Sequence, residues 1–275
     1  MYQEFNLDSK GMTLQGYHWE AEHPKAVLCL LHGIGEHAGR YDKIGMFFRE
    51  SQCAMVAVDL RGHGKSPGKR GHAAPREALF EDIDALVAFA GKIYPDAPIY
   101  LYGHSMGGNI GLDYRRRGAG RHRLKGYIIT APWLTLYNKL PAILIGFARV
   151  LSRIKPDFLM NTGLSAKDLA HIKSEVQAYV ADPLVHGKIS VLTAINGLDA
   201  AEQILLKAPD CSSPLLLMHG TEDRICTVEG SRIVRRLEGE RSSLIEWEGF
   251  YHEIHNEKEG REVLIAMQNW IAENK

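Results

Sequence analysis

The chain has 275 residues, enough to bury a sizeable core as one large domain or two small ones. Hydrophobic residues make up 45% and charged residues 24%, and 33 basic side chains balance 33 acidic ones, which excludes a disordered or fibrous chain. Without net charge or a basic run there is no electrostatic footprint for phosphates, so nucleic acid is not an expected partner.

The N-terminal segment MYQEFNLDSKG has neither a basic n-region nor an apolar h-region, so no secretory signal is expected. Strands are predicted near residues 2–7 and 12–19, then at 26–31, a solid apolar run that ends in His32-Gly33-Ile34-Gly35 and reads as a doubly buried central strand. Residues 40–51 read as helix, 54–60 as strand and 76–94 as helix, the last with Leu79, Ile83, Leu86, Val87 and Phe89 at helical spacing. A strand at 98–102, a helix from 106 to about 116 and a strand at 124–130 follow. Late strands fall at 214–218 and 243–247, and a terminal helix runs from about 258 to 272.

This alternation predicts the α/β class, a mostly parallel sheet with helices on both faces and an antiparallel start, in one domain over 1–275. Between 133 and 206 helical segments occur with no convincing strand, and this stretch reads as a helical cap inserted in that domain. The longest strongly apolar stretch, 140–148, falls far short of the roughly 20 residues a spanning helix needs. Lys139 precedes it, and Arg149, Arg153 and Lys155 follow. Two expectations stand for this stretch: transient contact with a membrane surface, or packing on the domain beneath. The four scattered cysteines, Cys29, Cys53, Cys211 and Cys226, form no C-x-x-C pair and no metal-ligand spacing, so a reduced, cytoplasmic setting without a metal is expected.

Gly103-His104-Ser105-Met106-Gly107 matches G-x-S-x-G, the nucleophile elbow of α/β-hydrolases. The pattern alone is weak, and Gly64-Lys65-Ser66-Pro67-Gly68 matches it too. An elbow needs a strand before it, a helix after it, and an N–H on the residue following the serine to help hold an oxyanion. Ser66 follows a loop, and Pro67 has no N–H to donate. Ser105 follows an apolar run and precedes Met106, which has one, so Ser105 is the expected nucleophile.

In this fold the partners follow in the order serine, acid, histidine, each after a late strand. His252 lies just beyond the last strand and is the expected base; His104, which flanks the serine, is expected to be structural. Asp223 follows the strand at 214–218 through the turn His219-Gly220-Thr221-Glu222 and is the expected acid. Its rival Asp59 breaks the chain order, and Glu222 is a neighbour whose direction the sequence does not give. The second oxyanion donor is expected to be the Ile34 N–H, beside that of Met106.

Several segments together carry a family likeness: the run from His32 to Tyr41, HGIGEHAGRY; the run from Asp59 to Ser66, DLRGHGKS; and Gly103-His104-Ser105-Met106-Gly107-Gly108. His219-Gly220-Thr221-Glu222-Asp223-Arg224-Ile225-Cys226 and Tyr251-His252-Glu253-Ile254-His255 add to it, as do Ser174-Glu175-Val176, Tyr179 and Asp182-Pro183-Leu184 in the cap. The chain resembles the monoacylglycerol lipase and lysophospholipase family of α/β-hydrolases, of the serine aminopeptidase-like "hydrolase 4" type. The resemblance implies an acyl tunnel under the lid and a small polar pocket for the head group, with Glu36, Arg40 and His255 near it as substrate-binding residues. The structural alternatives are a helix cap for Glu36, a surface ion pair for Arg40 and a loop hydrogen bond for His255. Cys226 matches a thiol of some family members and is expected to be buried and inert.

The expected activity is hydrolysis of a monoacylglycerol or similar single-chain lipid ester through an acyl-enzyme, with no metal or organic cofactor. A lysophospholipase, a short-chain carboxylesterase or a peptidase of the same fold are the rivals. A catalytically silent binding protein would lack a triad member, and none is missing.

Overall fold

The structure is a computed structural model and describes residues 2–274. Chain reversal at Lys10 and Gly11, both at positive φ, pairs β1 (Gln3–Ser9) with β2 (Met12–Trp19) as an antiparallel hairpin. The strands that follow are β3 (Ala26–Leu31), β4 (Cys53–Val58), β5 (Ile99–His104), β6 (Gly126–Thr130), β9 (Leu215–Gly220) and β10 (Ser242–Trp247). All eight lie in one sheet of order β1-β2-β4-β3-β5-β6-β9-β10, parallel from β4 onward. This is the mostly parallel sheet with an antiparallel start that the sequence predicts.

Strand side chains alternate between the two faces, so a fully apolar strand feeds two cores at once. In β3, Val27, Cys29 and Leu31 point into one core and Ala26, Leu28 and Leu30 into the other. The first core is covered by α2 (Arg76–Ile93), α3 (Met106–Arg117), α6 (Val191–Leu206) and α7 (Glu229–Glu238) through Leu79, Ile83, Ile110, Ile204 and Val234. The second is covered by α1 (Asp42–Glu50) and α8 (Gly260–Glu273) through Ile44, Phe48, Val263, Met267 and Trp270. The predicted helix over 40–51 begins as a 3₁₀ turn, Ala38–Tyr41, before α1.

The segment between β6 and β9 holds α4 (Ala142–Ile154), α5 (Lys173–Ala181) and α6. It also holds two three-residue strands, β7 (Leu159–Asn161) and β8 (Lys188–Ser190), paired antiparallel, where the sequence indicated none. Each is too short for a period-2 pattern, and their pairing is non-local, so only the folded chain reveals them. Along α4, Ile143, Phe147, Val150 and Ile154 recur at one-face spacing and are 85%, 65%, 56% and 76% exposed. No helix among the described residues is long and apolar enough to cross a membrane.

One buried ion pair ties this framework together. Arg115 on α3 is completely buried and donates to Glu238 on α7, Nη2 to Oε2 at 3.1 Å, and to the carbonyl of Cys211 ahead of β9 at 3.2 Å. Removing one partner strands a charge in low dielectric, whereas removing both leaves an apolar gap. Glu238→Ala is therefore expected to lower the unfolding free energy by about 3–5 kcal/mol in urea titrations, and the pair Arg115→Met with Glu238→Leu to lower it far less. Equal losses would sink this account.

Candidate active site

Ser105 sits at the turn where β5 hands over to α3, with φ 54° and ψ −114°, a conformation that a non-glycine residue adopts only when its surroundings hold it. The Ser105 N–H donates to the Thr130 carbonyl at 3.0 Å, and the Ser105 carbonyl accepts from Asn109 and Trp133 N–H groups, each at 3.0 Å. Gly107 lets α3 start directly above β3, since a Cβ there would collide with the Leu31 carbonyl. Met106 opens α3, where first-turn N–H groups have no partner within the helix. The His32-Gly33-Ile34-Gly35 turn lies against the serine: a Cβ on Gly33 would stand 3.4 Å from the Ser105 Cβ.

The second G-x-S-x-G serine serves differently. Ser66 Oγ donates to the Asp59 carbonyl at 2.6 Å and accepts from Gln15 N–H at 2.9 Å, clasping the loop after β4 to the sheet. Asp59 accepts from Ala38 and Lys65 N–H groups and the Tyr17 hydroxyl. Glu222 is exposed beside Arg224.

His252 Nε2 stands 2.9 Å from Ser105 Oγ, and His252 Nδ1 stands 2.6 Å from Asp223 Oδ2. A carboxylate only accepts, so Nδ1 carries the proton and Nε2 is left to accept from the serine hydroxyl. Burial by itself pulls the His252 imidazole down, and the facing Asp223 carboxylate more than reverses this, leaving it above its ordinary value. Burial pushes Asp223 up, but His252 and His219 hold its carboxyl well below the usual carboxylate range. Asp223 Oδ1 also accepts from the N–H groups of Ile225 and Cys226 at 2.8 and 2.9 Å. His219, which sequence reasoning did not single out, presents Nε2 to Asp223 at 3.1 Å and to the Cys226 carbonyl at 2.8 Å. Both are acceptors, so its Nε2 carries the proton and its Nδ1 accepts from the Ser231 hydroxyl at 2.8 Å.

Around this line the remaining residues fall into place. His104 is buried, with Nδ1 on the Thr130 hydroxyl at 3.0 Å. Cys226 is buried, and burial raises its thiol well above the ordinary value. Glu36 caps no helix: Oε1 accepts from the Gly33 N–H at 2.7 Å and the Tyr41 hydroxyl at 2.8 Å, while Oε2 pairs with Arg40. The Arg40 ion pair is buried instead of lying on the surface, with Glu253 as its second partner at 2.9 Å. Burial pushes the Glu253 carboxyl up, but Arg40 overrides this and holds it at about 2; the Glu36 carboxyl is raised by burial. His255 packs against the Tyr41 ring, and its Nδ1 is buried with no hydrogen-bond partner among the described residues. Glu253 gave no separate signal in the sequence beyond standing between His252 and His255.

No cluster of three or more His, Cys, Asp or Glu side chains suited to a metal ion occurs among the described residues. Sheet order, elbow and the serine–histidine–aspartate line define the class: an α/β-hydrolase. More closely, the chain belongs to the family described as serine aminopeptidase, S33 (Hydrolase_4), which matches residues 22–259. It is 34% identical over 250 residues to a monoacylglycerol lipase of Mycolicibacterium smegmatis, covering 90% of this chain and 88% of that protein. It is 30% identical over 257 residues to phospholipase YtpA of Bacillus subtilis, covering 90% of this chain and 95% of that one. The crystal structure of Paleococcus ferrophilus monoacylglycerol lipase superposes with a TM-score of 0.87 at 32% identity, over 96% of this chain and 100% of that one.

The lifted histidine has a kinetic signature. With His252 as the base, which must be neutral to accept the serine proton, the acid limb of kcat/KM should lie above the ordinary imidazole value. Asp223→Asn removes the charge that raises it, and the limb should move to lower pH while the plateau falls about 10⁴-fold, as in other triads. A limb that stays put in this variant would contradict the assignment of Asp223.

Proposed function

We propose that the protein hydrolyses carboxylic esters of a single acyl chain, most closely a monoacylglycerol, through a serine acyl-enzyme. The hydrogen-bonded line from Ser105 through His252 to Asp223 carries this reading. Ser105 Oγ attacks the ester carbonyl while its proton passes to His252 Nε2, and the backbone N–H groups of Ile34 and Met106 hold the oxyanion. His252 returns the proton to the leaving alcohol, then takes one from the water that cleaves the acyl-enzyme. Asp223 stays ionised and stabilises the imidazolium. No step calls for a metal or organic cofactor.

In this reading residues 133–206 are the lid over an acyl site. The open stripe of α4, with Lys139, Arg149, Arg153 and Lys155 around it, rests on anionic membrane surface and admits the lipid from there. The free thiols of Cys29, Cys211 and Cys226 agree with a cytoplasmic setting. The ester's polar head faces Glu36, Arg40 and His255, where the unpartnered His255 Nδ1 is available to a hydroxyl. A second reading, a lysophospholipid head, is favoured by the likeness to the Bacillus subtilis phospholipase.

Rates on glycerol monoesters, lysophospholipids, nitrophenyl esters and aminoacyl nitroanilides of graded size test these readings. With glycerol monoesters, kcat/KM should climb roughly fourfold per methylene while the chain remains inside the site. Activity confined to chains of about four carbons or fewer would sink the lipid reading, because each buried CH₂ contributes about 0.8 kcal/mol. Ser105→Ala should abolish turnover and Ser66→Ala retain it; the opposite pattern refutes the site. Phe147→Glu with Ile154→Glu should weaken co-sedimentation with vesicles containing anionic lipid, and unchanged binding would leave α4 without this role.

A further inference from the structure

Glu253, which follows His252 in the chain, belongs to an ion triad with Arg40 and Glu36 that the acyl-enzyme chemistry does not use. Arg40, from the turn after β3, donates with both arms of its fork to Glu253, Nη1 to Oε1 at 2.9 Å and Nη2 to Oε2 at 3.1 Å, and through Nη1 also to Glu36. The guanidinium lies 4.7 Å from the ring centroid of Tyr179 on α5. The three side chains are 13%, 3% and 4% exposed for Arg40, Glu253 and Glu36. Both oxygens of each carboxylate are engaged inside the protein: Glu36 by Gly33, Tyr41 and Arg40, and Glu253 by Arg40 and Asn256.

The positions of these groups give the triad two ends. At one end Glu36 fixes the Gly33 N–H, and the next peptide along carries the Ile34 N–H proposed as an oxyanion donor. At the other end Glu253 follows His252 in the chain, and its N–H donates to the Leu169 carbonyl between β7 and α5 at 2.7 Å. We infer that Glu36, Arg40 and Glu253 are also positioning residues, a strut that locks the oxyanion turn to the base loop and sets its charge near the His252 imidazole. The inference rests on the acyl-enzyme reading of Ser105 and His252.

The charges around that imidazole are Asp223 from the loop after β9, Glu36 and Arg40 from the turn after β3, and Glu253 on its own loop, with the His104 ring 4.9 Å away. His255 stands on the same loop, within electrostatic reach of His252 and of Glu175 from α5. After burial, which lowers it, and Asp223, which lifts it, both Glu253 and Glu36 also lift the His252 imidazole. Withdrawing a carboxylate from this set weakens its hold on a proton.

A fluorophosphonate probe separates position from contact, because it has no glycerol or phospholipid head. Ser105 Oγ bonds to phosphorus, fluoride leaves, and the serine proton passes to His252. Labelling rates are followed against pH in the wild type, Glu36→Ala, Glu36→Gln and Glu253→Gln, with near-ultraviolet circular dichroism as the check on folding. Glu36→Ala should slow labelling about tenfold or more, the cost of a displaced oxyanion donor, and Glu36→Gln should restore much of it, since its amide oxygen still accepts from Gly33. Glu253→Gln should shift the acid limb to lower pH, a change that loss of packing alone does not produce. Unchanged labelling in Glu36→Ala with a raised KM for glycerol monoesters, or an unmoved limb in folded Glu253→Gln, overturns the strut. Should Glu36→Ala fail to fold, the limb in Glu253→Gln decides. A wild type inert to the probe at Ser105 refutes the acyl-enzyme reading instead.

Discussion

The backbone of Ser105 is held where an ordinary residue does not rest, and the hydrogen bonds to Thr130, Asn109 and Trp133 keep it there. Those three partners come from β6, α3 and the segment leaving β6, so the turn is as firm as the sheet itself. The cost of the strained φ is carried by a doubly buried sheet whose centre, β3, β5 and β6, is apolar on both faces. A serine on a flexible loop of the same sequence would relax to an ordinary conformation and lose its aim at His252.

The loops at the carboxyl ends of the parallel strands meet at this turn, as parallel α/β sheets bring their ligand sites together. β3 delivers Gly33 and Ile34, β5 delivers Ser105, β9 delivers Asp223 and β10 delivers His252. The segment between β6 and β9 is then tied to two of these loops by short polar contacts. His186 N–H donates to the Gly35 carbonyl at 2.8 Å, Asp182 pairs with His37 at 2.9 Å, and His171 pairs with Glu257 at 2.9 Å. These contacts link that segment to the turn after β3 and to the loop after β10 together. Its outer helix, α4, faces away from these ties with its apolar stripe uncovered.

A facing carboxylate, not burial, sets His252 apart from the buried histidines beside it. His104 and His255 are both driven below the ordinary value by burial, the latter to about 4, and remain neutral under most conditions. His252 is as deeply buried, yet the Asp223 carboxylate against its Nδ1 lifts it. Two electrostatic environments a few ångströms apart thus hold chemically identical rings on opposite sides of the ordinary imidazole value.

The amino-acid sequence alone determined the alternation of strands and helices and the choice of Ser105 over Ser66. The same sequence ordered Asp223 and His252 as expected partners, because hydrophobic period, glycine placement and the missing N–H of Pro67 are local properties. It did not reveal the pairing of β7 with β8, the burial of the Arg40 ion pair, or the part of Glu253 and His219. Each of these depends on partners brought together only by folding: Arg40 meets Glu253 across 213 positions of chain. Tertiary structure alone decided them, since a charge or a short strand has no fate until the dielectric and the neighbours around it are set.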